Sequence, residues 1–213
     1  MSADPAFWNN IAESYAAKPV DDPAAFDRKI AIMKSHMRPD HVVLDVGCGT
    51  GSLALRLADT GAQLHGLDIS PEMIRIARGK AEAQGVDNVT FHVGPFDDSF
   101  TVFPDESLDG VCACSILHLV EDRDDALARI HRLLKPGGFF ISSNVCLGGS
   151  WVPYGPVLAV MRWLGKAPMV KRVSRETAVA EAEAAGFVDV ALPDVGAKET
   201  VVFMVAWKPP HRM

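Results

Sequence analysis

The chain has 213 residues, 48% of them hydrophobic, 23% charged and 8% aromatic, which is enough apolar material to bury a sizeable core in one domain and leaves no need for a second. A formal net charge of -6 gives no global attraction to phosphate backbones, so nucleic acid is set aside as a substrate and small molecules become the expected partners. No uninterrupted apolar run reaches the roughly 20 residues that span a bilayer, and residues 1–10 lack the basic-then-apolar pattern of a secretory signal, so a cytoplasmic protein without a transmembrane segment is expected.

In chain order, Asp4-Pro5 places a capping acid before a proline and predicts a helix with Trp8, Ile11, Ala12 and Tyr15 on one face. Asp22-Pro23 repeats the signal for a second helix, whose stripe is Phe26, Ile30, Met33 and Met37 and which Pro39 ends. A strand follows at His41 to Val46, then a helix carrying Leu53, Leu57 and Ala58 that stops at Gly61, then a strand reaching Asp68. Ser70-Pro71-Glu72 opens a helix that Gly85 closes. Strands are predicted at Val89 to Val93 and Leu108 to Ser115, a helix over Asp122 to Leu134, an abrupt stop at Lys135 to Gly138, and a fifth strand at Phe139 to Ser143. An alanine-rich helix at Ser174 to Ala185 precedes a sixth strand, Val188 to Leu192, and a last one, Thr200 to Lys208. Strands alternating with helices predict a parallel α/β sheet. Cys48, Cys112, Cys114 and Cys146 are scattered over strands and turns, so neither disulfides nor a metal site is expected.

The chemistry sits in VVLDVGCGTG, Val42 to Gly51, where a buried strand runs into a turn containing Gly47, Gly49 and Gly51, and in the acid that ends the next strand, Asp68. A dinucleotide turn prefers G-x-G-x-x-G, but Ser52 stands at the third glycine position, and no Gly-Lys-Ser or Gly-Lys-Thr follows, so the cofactor is expected to lack phosphate. With the D-V-G-C-G-T-G turn, the acid of L-D-I-S and the L-K-P-G-G of Leu134 to Gly138 in this order, the chain from Val42 to Ser143 resembles a class I S-adenosylmethionine-dependent methyltransferase.

That resemblance implies a Rossmann-like doubly wound, mostly parallel seven-stranded sheet, helices on both faces, with the antiparallel last strand slotted between its neighbours. It also implies S-adenosylmethionine as cofactor and S-adenosylhomocysteine as product. By the same resemblance Gly47, Cys48 and Gly49 meet the methionine moiety, Asp45 orients its ammonium end, Asp68 takes the ribose hydroxyls, Ile69 packs on adenine, and Ser115 lies where the sulfonium and the acceptor meet. Many relatives carry Gly-Asp-Ala after the third strand, where this chain has Gly94-Pro95-Phe96. Proline has no carboxylate and no N–H, so adenine recognition is expected from the Phe96 backbone, from its ring, or from Asp97 or Asp98. Asp109, at the start of the fourth strand, reads as structural. His118, past the end of that strand, is the candidate general base for an acceptor that must lose a proton.

The chain divides into an N-terminal helical cap at 1–40, a cofactor core at 41–143, a lid-like insertion at 144–173 and a closing helix and strand pair at 174–213, all in one domain. The insertion combines Gly-Pro hinges with Trp151, Tyr154, Met161 and Trp163, the composition of a lid over an apolar or aromatic acceptor, so Tyr15, Asn144, Trp151 and Tyr154 are the expected acceptor contacts. Val157 to Leu164, flanked by Lys166, Lys171, Arg172 and Arg175, also suits peripheral contact with an anionic membrane, and the same lid suits a dimer contact, so monomer and homodimer both stay open. Two other function classes share these features: a noncatalytic S-adenosylmethionine-binding protein and an NAD-dependent oxidoreductase.

Overall fold

The structure is a computed structural model, and it describes residues 5–120, 122–145, 174–198 and 200–211. Its strands are β1 (Val42–Val46), β2 (Gln63–Asp68), β3 (Val89–Val93), β4 (Leu108–Cys114), β5 (Leu134–Val145), β6 (Val188–Ala191) and β7 (Val201–Trp207). The helices are α1 (Ala6–Ala17), α2 (Pro23–Ser35), α3 (Ser52–Leu57), α4 (Pro71–Gln84), α5 (Arg123–Leu133) and α6 (Arg175–Ala184). All seven strands form one sheet in the order β3-β2-β1-β4-β5-β7-β6, in which β7 runs antiparallel to both β5 and β6 and every other pairing is parallel. The Rossmann-like doubly wound sheet with its antiparallel last strand is therefore the architecture present.

Strand order reverses between β1 and β4, so the crevice beyond their carboxyl ends is the place where an open α/β sheet binds ligand. Along β1, Val43 joins the apolar layer formed with Ile30, Met33 and Leu57, whereas Leu44 and Val46 join the layer containing Leu127, Ile130 and Ala182. The period-two alternation of a strand thus presents one row to α2 and α3 and the other to α5 and α6. Asp45 shares its face with Val43, at the end of the strand nearest the crevice. Among the described residues, no helix is long and apolar enough to cross a membrane.

Element ends follow local chemistry. The Asp22 carboxylate accepts from the Ala25 N–H at 2.9 Å, and Ser70 Oγ accepts from the Met73 N–H at 3.1 Å, each ahead of a proline in the first turn. Several boundaries differ from the sequence expectation, and three of the differences have a plain local cause. Pro5 is itself the cap of α1, its carbonyl accepting from Asn9 N–H, so the helix starts one residue late. α2 ends at Ser35, short of Pro39, because His36 and Met37 N–H bond three residues back and tighten the last turn. β5 begins at Leu134 because Leu134 already pairs with Leu108, and a bulge absorbs residues 135–138 before Phe139 pairs with Gly110.

Asp109 lies at the opposite end of the sheet from the crevice and is structural. It accepts from Val42 N–H and from Lys135 Nζ, both at 2.8 Å, tying the starts of β1, β4 and β5 together.

Candidate functional site

The turn after β1 is held by its own backbone. Gly47 and Cys48 N–H both donate to the Leu67 carbonyl, at 2.7 and 3.0 Å, Gly51 N–H donates to the Cys48 carbonyl, and Gly49 N–H donates to Asp68 Oδ2 at 2.9 Å. A phosphate cradle works by offering free N–H groups to an anion. Four of the turn's N–H groups are already spent, so it is poorly suited to a pyrophosphate and better suited to a ligand that brings donors of its own. Gly47 has φ +70°, and a Cβ there would lie 2.7 Å from Ile116 Cγ1, so the turn and the loop after β4 close against each other only because that side chain is missing. Lys80 Nζ donates to Thr50 Oγ1 at 2.9 Å and pins the far end of the turn to α4.

Two carboxylates face this turn. Asp68, at the end of β2, accepts from Gly49 N–H through Oδ2 and from Ser70 N–H through Oδ1, both at 2.9 Å. These bonds fix the plane of the carboxylate and leave further lone pairs free for two ligand hydroxyls. Burial raises the pKa of the group, and the two N–H donors pull it down. Asp45 is 5% exposed, and its Oδ2 has no hydrogen-bond partner. Burial first, and then the charge of Asp68, raises its pKa to about 8. An unsatisfied buried carboxylate oxygen is costly, so it is a standing invitation to a cationic donor.

The loop after β3 presents Gly94, Pro95 and Phe96. The Phe96 ring is 5% exposed, packs in the α5 layer, and has the Arg129 guanidinium 5.7 Å from its centroid. Asp98 is engaged by Arg129 and Arg132, and Asp97 accepts from the Ser99 N–H and hydroxyl. Ile69, between Asp68 and Ser70, is half-buried.

Beyond β4, Ser115 takes φ +58°, a left-handed conformation unusual for a residue with a side chain, and its N–H donates to the Ser143 carbonyl at 2.6 Å. Ile116 follows against Gly47, and His118 lies in the short 3-10 turn Leu117–Leu119, its side chain outside the described structure. Asn144, near the end of β5, is 7% exposed with an unpartnered Oδ1. It lines a cavity of about 20 Å³ with Arg123, whose Nη1 is also unpartnered while its Nε donates to Glu181 at 3.0 Å. Trp151 and Tyr154, and the apolar run 157–164 with its basic flank apart from Arg175, fall outside the described residues.

α1 covers the open side. Its Tyr15 Cε1 lies 3.8 Å from where a Gly49 Cβ would stand. Loss of solvent raises the Tyr15 pKa, with Asp68 and Asp45 adding to the rise and Lys18 opposing it. Asn9 Oδ1 accepts from Ser70 Oγ at 2.6 Å, so α1 is fastened to the cap that follows Asp68. Sequence reading missed Asn9, since one asparagine on a helix carries no signal for a contact 61 residues away. It also missed Lys29, although the signal was there: with Phe26, Ile30 and Met33, position 29 falls inside the apolar stripe of α2. Lys29 Nζ reaches the sheet and donates to Ser143 Oγ at 2.8 Å.

Comparison with known proteins gives the family. Residues 38–190 match the family model described as a methyltransferase domain. The chain is 34% identical over 142 residues to a demethylmenaquinone methyltransferase of Symbiobacterium thermophilum, covering 63% of this chain and 55% of the relative. It is 32% identical over 132 residues to the uncharacterized methyltransferase YcgJ of Bacillus subtilis, covering 62% and 49%, and 32% identical over 115 residues to the ubiquinone/menaquinone biosynthesis C-methyltransferase UbiE of Geotalea daltonii, covering 52% and 48%. The chain thus spans about half the length of the curated relatives it matches. Among solved structures, the phosphoethanolamine N-methyltransferase 2 of Haemonchus contortus in complex with S-adenosyl-L-methionine superposes with a TM-score of 0.71 at 21% identity, over 86% of this chain and 52% of that one. By its family match and its fold, this chain belongs to the class I S-adenosylmethionine-dependent methyltransferases.

Proposed function

We propose that this chain transfers a methyl group from S-adenosylmethionine to a small, apolar or aromatic acceptor. The observation that carries the reading is the pair of carboxylates at the switch point: Asp45 with a buried unpartnered oxygen, and Asp68 with its plane fixed and lone pairs to spare. S-adenosylmethionine fits both, because it brings an ammonium group and two ribose hydroxyls and has no phosphate to require the N–H groups that the turn has already spent. Asp45 would hold the ammonium, Asp68 the ribose, and the turn Gly47-Cys48-Gly49 the methionine chain. The backbone at Phe96 would read the adenine edge, and Ile69 and Ser115 would border the ring and the sulfonium.

When bound, the cofactor supplies an electrophilic methyl group on a sulfonium whose departing thioether needs no protonation. What remains for the protein is positioning and exclusion of water, the terms that bring two reactants into line. Tyr15, Asn144, Trp151 and Tyr154 would shape the acceptor pocket, and His118 would take a proton from an acceptor hydroxyl where one must leave. Two relatives are named for quinone-type substrates, ubiquinone and menaquinone, and that supports an aromatic ring as the acceptor.

The test is transfer of a labelled methyl from S-adenosylmethionine to a reduced short-chain demethylmenaquinone, with phosphoethanolamine and a mixed RNA as competitors. The expected result is label in the aromatic compound above the boiled-protein background. Label in phosphoethanolamine or RNA alone would overturn the acceptor class, and binding of cofactor with no transfer to any of the three would favour a noncatalytic binding role.

A further inference from the structure

Lys29 is a half-buried cation on α2 beside the ends of β4 and β5. It projects from the apolar stripe of α2 to the carboxyl end of β5, and its Nζ donates to Ser143 Oγ at 2.8 Å. Ser143 lies opposite Cys114 in the β4–β5 ladder, and the Ser143 carbonyl holds the left-handed Ser115 that turns the chain out of β4. Asp45, Cys114 and Ser143 lie on the same sheet face at the ends of three adjoining strands. No carboxylate of the described residues lies within ion-pair distance of Lys29, although ion pairs hold many of the other lysines and arginines of the chain.

Burial and neighbouring groups bear on this ammonium in opposite directions. Burial lowers the Lys29 pKa while Cys114 and Asp22 oppose the shift. Burial and the charge of Asp45 push the Cys114 thiol up to about 12, against a lowering from Lys29. The crevice is therefore divided between acids and a base. Two acids, Asp45 and Asp68, stand under the turn after β1, and one half-buried ammonium stands at the ends of β4 and β5. An ammonium held partly out of water without a counter-ion attracts an anion strongly.

We infer that Lys29 binds an ionised oxygen of the methyl acceptor, so that the acceptor is an acidic hydroxyl compound such as a phenol or hydroquinone and not an amine. This rests on the methyl-transfer reading above. A positive acceptor would be repelled both by Lys29 and by the sulfonium, whereas a phenolate is attracted by both and presents an electron-rich oxygen or ring carbon. Ser143 would hold the ammonium in place until the acceptor oxygen joins it.

The experiment uses 4-nitrophenol, whose ionisation is visible by absorbance, titrated into protein saturated with S-adenosylhomocysteine. The wild type is expected to bind the phenolate and to shift its ionisation to lower pH. Lys29→Gln should bind it about tenfold more weakly with the shift abolished, Lys29→Arg should keep most of both, and affinity for S-adenosylhomocysteine should stay within about twofold throughout. Lys29→Met, which keeps the apolar stem, repeats the test if the glutamine variant does not fold. An unshifted ionisation in the wild type, or an equal shift in Lys29→Gln or Lys29→Met, would overturn the inference. Failure of the wild type to bind S-adenosylhomocysteine at all would instead strike the cofactor reading on which it rests.

Discussion

Asp45 and Asp68 are both buried at the mouth of one crevice, yet only Asp68 has its charge satisfied by backbone donors. The consequence at Asp45 is a carboxyl that carries its proton up to about pH 8. An ammonium arriving beside Asp45 favours the carboxylate, so cofactor binding near neutral pH should expel one proton. Affinity should rise with pH, by at most about tenfold per unit, until the carboxyl or the ligand amine (an α-amino group, pKa about 7.7–8.0) titrates. The sign for the free protein is the reverse. The folded pKa lies above the unfolded value, so the native state holds the extra proton between roughly pH 4 and 8, and stability from this residue falls as pH rises through that window. Calorimetry at pH 6.5 in buffers of different ionisation heat should show about one proton released, and none in Asp45→Asn, which should also gain thermal stability over wild type more at pH 8 than at pH 5. Binding heats independent of buffer would contradict this. At this scale the sequence spoke clearly where type and position coincide, as at Asp45, Gly47 and Asp68. It was silent where the partner is remote, as for Asn9 on Ser70, and ambiguous at Phe96, whose ring the structure buries beneath Arg129.

Among the elements, α4 connects packing to the site most directly. Ser70 caps it, follows Asp68 in the chain by two residues, and is gripped by Asn9 of α1. Ser70→Ala should cost about 1 kcal/mol in urea unfolding through loss of the cap, and should weaken cofactor binding several-fold because α1 loses its anchor through Asn9, while the Ser70 N–H still holds Asp68. Unchanged binding with the full loss of stability would separate the cap from the site. The helix starts at Asp22-Pro23 and Ser70-Pro71 were legible because a capping side chain and a proline act within one turn. The fifth strand was not legible from its start: Lys135-Pro136-Gly137-Gly138 reads locally as a stop, and only the pairing of Leu134 with Leu108 across the sheet makes it a bulge inside a strand. The antiparallel place of β7 between β5 and β6 came from resemblance to a family and not from any property of residues 201–207 alone.

For the molecule as a whole, the fold sets where a ligand binds without setting what is done to it. Function must therefore be argued from the site. The central claim is that the switch-point carboxylates hold a phosphate-free nucleoside cofactor through Asp68. The most direct measurement is a calorimetric titration of S-adenosylmethionine into wild type, Asp68→Asn and Asp68→Ala, with NAD as a parallel ligand and circular dichroism to establish that each variant is folded. The account predicts saturable binding to the wild type, a loss of roughly a hundredfold in Asp68→Ala from two charge-assisted hydrogen bonds, a smaller loss in Asp68→Asn, and no heat from NAD. Equal affinity in folded Asp68→Ala, or binding of NAD in place of S-adenosylmethionine, would contradict it.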